Sequence, residues 1–177
     1  MKTALVTGGS GGMGAAICQR LAADGCHVYV HAHHGLEAAQ RLVDSICAGG
    51  GSAETLVFDV TDSSAVTDAL TPIIEHKPIQ ILENNAGIHD DAIFPGMRAE
   101  QWHRVIDVSV NGFFNVTHTL MMPMIRSRWG RIVNVSSIAA LPGNPGPVNS
   151  SAANDPITSP TKSRAQNGSQ PGITAHT

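Results

Sequence analysis

The sequence predicts an α/β domain built on a doubly wound parallel sheet. Short apolar runs rich in strand formers alternate with stretches of helical period, and the first strand runs into a glycine-rich turn that opens a helix. Strands alternating with helices imply parallel crossovers, so a ligand crevice is expected at the carboxyl ends of the strands.

Each element can be justified in turn. "TALVTGG" is a strand closed by glycines, and "MGAAICQRLAADG" carries apolar residues near helical spacing up to Gly25. "HVYVHA" reads as the second strand and "LEAAQRLVDSICAGG" as a helix ended by glycines 49 to 51. "AETLVFDV" is the third strand, "DSSAVTDALTPIIEHK" a helix and "IQILENNAG" the fourth strand. One long helical region, "AEQWHRVIDVSVNGFFNVTHTLMMPMIRSR", leads to a fifth strand at "GRIVNVSS". The expected strand order is 3-2-1-4-5, with "GITAHT" as an optional sixth strand. Residues 150 to 177 contain no Leu, Val, Phe or Met and are rich in Ser, Asn, Pro, Gly and Thr, so by composition this tail reads as disordered. The chain divides into a domain over residues 1–149 and a divergent polar tail over residues 150–177.

Length and composition agree with one domain. The 177 residues, 42% hydrophobic, suit a sizeable core, and a net charge of -3 gives no strong pull toward nucleic acid. No apolar run reaches the roughly 18 residues of a membrane span, and "MKTALVTGG" lacks a signal-peptide pattern, so the chain reads as cytoplasmic with no membrane partner. Cys18, Cys26 and Cys47 lack the paired spacing of a zinc site or redox motif. His31, His33 and His34 are the tightest group of histidines, yet no Cys or carboxylate stands at ligand spacing, so they read as a solvated strand end and no metal is expected.

The chemistry concentrates at "TGGSGGMG", residues 7–14. Gly8, Gly12 and Gly14 let the backbone approach a pyrophosphate and let the helix pack close to the sheet, with helix-terminal N–H groups facing the phosphates. A glycine-rich strand-to-helix turn is also found as a plain tight connection, so its place in the first strand–helix unit is what favours nucleotide binding.

The spacing Thr-Gly-x-x-x-Gly-x-Gly resembles that of the short-chain dehydrogenase/reductase family. "FDVTD" with Asp59 and Val60 resembles the family's adenine contact, "NNAG" at residues 84–87 its cofactor-supporting turn, and "GRIVNVSS" its strand ending in the catalytic serine. "NNAGIHDDAIFPGM", Trp102, "MMPMI" and "WGRIVNVSS" are similar to the 3-oxoacyl-[acyl-carrier-protein] reductases and acetoacetyl-coenzyme A reductases, over essentially residues 3–149. The resemblance implies a Rossmann-like fold and NADP-dependent reduction of 3-oxoacyl thioesters to 3-hydroxyacyl thioesters. It implies a cofactor set of Gly8, Ser10, Gly12, Met13, Gly14, His33, Asp59, Val60, Asn85, Ala86 and Gly87, a small acyl thioester as substrate, and a homo-oligomer associating around Phe113 to Met124. Members preferring NAD often carry an acidic residue at the end of the second strand, where this chain has Ala32; NADP is therefore favoured over NAD, although the family's NADP-binding arginines are absent at Gly11 and His33.

The same resemblance locates the proton-transfer residues. Ser137 matches the catalytic serine, but the tyrosine position, thirteen residues on, holds Ser150, and the lysine position holds Asn154. The asparagine position holds Ser109. On a helix, residues four apart share a face, which lets a lysine cation lower a tyrosine pKa; an aliphatic hydroxyl is shorter and a far weaker acid, and an amide carries no cation. Glu83 puts a carboxylate on an expected buried strand, costly unless paired. Pro156 and Pro160 oppose a regular helix in the tail, although "TKSRAQ" and "PGITAHT" keep weak register with the family's next helix and strand, after which the family's lid and last strand have no counterpart. Three readings follow: a reductase by descent with very weak or no turnover, a noncatalytic NAD(P)-binding or partner-binding protein, or a truncated product with little function.

Overall fold

The computed structural model describes residues 1–90, 92–136, 148–153 and 172–177. Its strands are β1 (Thr3–Val6), β2 (His27–Ala32), β3 (Ser52–Val57), β4 (Ile81–Asn84), β5 (Gly130–Asn134) and β6 (Ile173–His176). All five pairings are parallel, and the sheet runs β3-β2-β1-β4-β5-β6. This is the doubly wound, Rossmann-like arrangement expected, with "GITAHT" supplying the sixth strand.

The strands read as continuous apolar runs because both faces of the sheet are covered. Successive side chains point to opposite faces, so β1 splits its residues: Ala4 and Val6 enter one core and Leu5 the other. The first core is completed by α1 (Gly12–Ala23) and α2 (Leu36–Ala48), through Cys18, Ala22, Ala39, Leu42 and Ile46. The second is covered by α3 (Ser63–His76) and α5 (Gly112–Arg126), through Val66, Leu70, Val116, Leu120 and Met124. Asp62 starts α3 by accepting the Ser64 and Ala65 N–H groups at 2.9 and 3.0 Å. Such a cap contributes about 1 kcal/mol.

Two sequence expectations change here. The long helical region is α4 (Ala99–Ile106) and α5 joined through a wider π turn at Asp107–Asn111. The turn places Gly112 against the loop after β3, where a Cβ would lie 2.7 Å from Val60 Cγ2. The polar tail is ordered where it is described: residues 148–153 are helical, and β6 pairs with β5 from Gly130↔Ile173 to Val133↔His176. Composition overlooked β6 because its stability comes from the edge of β5 and from Ile173 and Ala175 packing on the second core. "TKSRAQ", Pro156 and Pro160 lie outside the described residues. Among the described residues no helix is long and apolar enough to cross a membrane.

Candidate active site

The turn after β1 is shaped by two glycines. Gly8 has φ +63, a left-handed conformation that a side chain resists, and a Cβ there would meet Ala86 Cα at 3.1 Å. Gly14 faces the same turn from α1: a Cβ would strike the Gly8 carbonyl oxygen and lie 2.8 Å from Asn85 Nδ2. Gly12 differs, because nothing lies within 4 Å of where its Cβ would be. The first turn of α1 has no side-chain cap at Gly11, so its N–H groups face an open approach. That combination fits a pyrophosphate.

Asn85 and Thr7 lock this turn to the loop after β4. Asn85 Nδ2 donates to the carbonyls of Thr7 (2.9 Å) and Gly8 (3.2 Å). Thr7 Oγ1 accepts from the N–H groups of Asn85 and Ala86, both at 3.0 Å, and donates to the Glu83 carbonyl at 3.2 Å. Asn85 Nδ2 and Thr7 Oγ1 are thereby both engaged with backbone, which holds the loop in one geometry. The loop after β3 is held from the other side, where Asn115 Nδ2 on α5 donates to the Val60 and Thr61 carbonyls at 2.9 and 3.3 Å.

Within that loop Asp59 Oδ1 accepts from Thr61 N–H and Oγ1–H at 2.9 and 2.8 Å. Burial works to raise this carboxyl, but the two Thr61 bonds and the nearby His33 imidazole outweigh it and hold the group below the usual range. His33 Nε2 lies 3.7 Å from Asp59 Oδ2, and its ring stacks on His34 at 3.5 Å between centroids. His33 and His34 are exposed, as a strand-end pair should be. His31 is not: it is only 2% exposed, so the reading of all three as a solvated end fails for it. The fold turns its side chain inward because β2 is covered on both faces. Ser10, on the glycine turn, stands close to Gly35 at the start of α2: a Cβ on Gly35 would lie 3.1 Å from Ser10 Oγ.

A cavity of about 440 Å³ opens between these loops and the π turn. Thr7, Met13, Asn85, Gly87, Ser109 and Ser150 are among its lining residues, so the positions that the resemblance gives to cofactor and to proton transfer share one space. Ser109 sits in the π turn, a local widening that recurs at functional sites. Ser150, 5% exposed, belongs to the helical residues 148–153. Its N–H meets Asn149 Oδ1 at 2.9 Å, and the fully buried Asn149 donates from Nδ2 to the Asp90 carbonyl at 2.9 Å. Asp90 in turn is gripped by Gln101 (2.8 Å) and Arg104 (3.0 Å) of α4. Val135 and Ser136 bring the end of β5 to the cavity; Ser137 and Asn154 lie outside the described residues.

A profile described as short chain dehydrogenase matches residues 2–177. The chain belongs to the short-chain dehydrogenase family. Among its relatives, the 3-oxoacyl-[acyl-carrier-protein] reductase of Aggregatibacter actinomycetemcomitans is 40% identical over 93% of this chain and 69% of that protein. The acetoacetyl-CoA reductase of Rhizobium meliloti is 40% identical over 99% of this chain and 71% of its own length, and nodulation protein G of Azospirillum brasilense 37% over 99% and 72%.

Asn115 and Asn149, which shape this short-chain dehydrogenase site, escaped sequence reading, His31 was read as solvated, and the bonds that Thr7 and Asn84 make within their motifs were not read. Asn84 Nδ2 donates to Asn134 Oδ1 at 2.8 Å and to Thr117 Oγ1 at 3.0 Å, tying β4 to β5 and α5. A polar residue at a strand end is the one available signal, and it does not say which backbone group the side chain meets. Glu83 is the opposite case. It is 9% exposed, its carboxylate makes no hydrogen bond or ion pair among the described residues, and burial pushes that carboxyl up to about 7. The charge is unpaired, and the group answers by holding a proton into the neutral range. No cluster of three or more possible metal ligands occurs among the described residues.

Proposed function

We propose that this short-chain dehydrogenase binds NADPH and descends from reductases of 3-oxoacyl thioesters, with turnover at or near background. The observation that carries the reading is the shared cavity: Ser109 and Ser150 line it beside a glycine turn and an Asn85 corner that remain fully built. When bound, the cofactor supplies a hydride to a carbonyl carbon. The chain's own task is then to hold the carbonyl oxygen and deliver a proton to it. At residue 150 the available donor is an aliphatic hydroxyl, whose acidity is far too low for that role, and it falls an aromatic ring short of a tyrosine hydroxyl. Losing a positioned general acid removes about 10²–10⁴-fold in rate.

The names of the relatives support the acyl thioester class. Preference for NADPH is supported by Ala32 at the end of β2, which offers no carboxylate to repel a 2′-phosphate, and by the exposed His33 and His34 beside it. Association of copies is supported by α5, which buries Val116, Leu120 and Met124 while leaving Phe114 and Met122 59% and 52% exposed on its outer side.

The test is NADPH oxidation with acetoacetyl-coenzyme A, run beside a fluorescence titration of NADPH and NADH. Binding of NADPH without turnover is expected. Robust turnover sinks the claim of lost catalysis, and absence of binding by both cofactors sinks the cofactor claim. A second reading, a noncatalytic cofactor-dependent interaction protein, is favoured by the intact hydrogen-bonded corner around Asn85. It requires that NADPH change the chain's association state by light scattering.

A further inference from the structure

His31 joins two loops that the sheet leaves unjoined. Pairing of β1 with β2 ends at Val6↔Val30 and pairing of β2 with β3 at Ala32↔Val57, so beyond those residues no ladder holds the glycine turn to the loop starting at Phe58. The imidazole fills that place. Gly8 N–H donates to Nδ1 at 3.0 Å, and Nε2 lies 2.9 Å from the Phe58 carbonyl. A backbone N–H can only donate and a carbonyl can only accept. The hydrogen-bonding partners therefore assign the tautomer: Nδ1 bears the lone pair and Nε2 the proton. The His31 carbonyl adds a third bond by accepting Gly9 N–H at 2.8 Å, and its ring packs on Phe58 at 4.1 Å between centroids. Burial pushes this imidazole down to about 4, so it stays neutral, and Nδ1 stays an acceptor, through the ordinary pH range.

We propose that His31 is a positioning residue for the dinucleotide, a strut that sets the spacing between the turn facing the pyrophosphate and the Asp59–Val60 loop facing the adenine. The proposal rests on the cofactor reading above. It assigns the histidine to neither cofactor contact nor metal binding: its two ring nitrogens are both spent on backbone. A ligand that touches both loops at once feels the strut, whereas a fragment that touches only one does not.

The test compares the full chain with His31→Phe, which keeps the ring and loses both bonds, and His31→Asn, whose Oδ1 falls near Nδ1 and keeps the Gly8 bond. NADPH and adenosine are titrated into each at a temperature where circular dichroism shows native structure. Expected is a loss of about 10- to 100-fold in NADPH affinity for His31→Phe, partial recovery in His31→Asn, and little change for adenosine. Nitrogen NMR of labelled imidazole in the wild-type chain gives a readout independent of the variants' folding. It should show Nδ1 unprotonated, Nε2 protonated and no titration between pH 8 and pH 5. Equal NADPH affinity in wild type and His31→Phe overturns the strut while leaving the cofactor reading intact, as does an imidazole titrating like a solvent-exposed one. A wild-type chain that binds neither NADPH nor NADH overturns the cofactor reading and this role with it.

Discussion

The two walls of the crevice are held in different ways. On the side of the glycine turn, Thr7, Asn85, His31 and Asn115 each bond to main-chain groups of a neighbouring segment, so the wall is a braced piece of backbone. On the other side stand Ser109 and Ser150, small hydroxyls whose positions are set by the π turn and by the Asn149–Asp90 link, but whose chemistry is weak. A binding frame made of backbone and its braces is insensitive to the identity of the few side chains that transfer protons. On the function proposed above, changing two or three residues removes catalysis while the frame beside them stays standing.

The comparison is broken most directly by refilling the second wall. The triple variant Ser109→Asn, Ser150→Tyr, Asn154→Lys is expected to raise NADPH oxidation with acetoacetyl-coenzyme A by about 10²–10⁴-fold over the parent chain. A triple variant that binds NADPH as the parent does, yet shows no gain, would mean that the wall has lost more than its acid.

Glu83 is buried on β4, two residues before Asn85. Its folded-state carboxyl is raised from 4.5 to about 7, so the folded chain holds a proton that the unfolded chain has released. Stability therefore falls as pH rises from about 4.5 through 7 and is level above that, a penalty on the order of 3 kcal/mol at pH 8. Glu83→Gln should recover most of it at pH 8 and almost none at pH 4, measured by denaturant unfolding at both values. An equal gain at both would show that burial of charge is not the cause.

The glycines sharpen the contrast at smaller scale. Gly14→Ala forces a Cβ into the Gly8 carbonyl and should cost about 1–3 kcal/mol of stability. Gly12→Ala meets open space in the free chain, so its melting temperature should hold while NADPH affinity falls. Equal melting temperatures for both variants would contradict the packing described for Gly14.

Much of this was legible in the residues. The alternation of β-rich and helix-period segments announces a parallel sheet because buried strands and one-faced helices have local signatures. The family's glycine spacing, Asp59 and the Asn84–Gly87 turn stand in the chain as written. The π turn at Asp107–Asn111 was not legible, since it answers to Val60 packing on Gly112 across 52 residues of chain. β6 was half hidden for the same reason: its own composition is weak, and the edge of β5 makes it a strand.

The sequence by itself determined the order of the first five strands and the presence of Ser, Asn and Ser at residues 150, 154 and 109, because those are matters of pattern, residue type and count. Only the tertiary structure decided that His31 is buried between two backbone loops, that Glu83 is unpaired among the described residues, and that Ser109 and Ser150 face one cavity. Burial and partnership are properties of what comes to lie alongside a residue. Two histidines two residues apart, His31 and His33, read alike in the chain and end in opposite environments because His31 lies within β2, under the cover of the sheet's packing, while His33 lies past the strand's end.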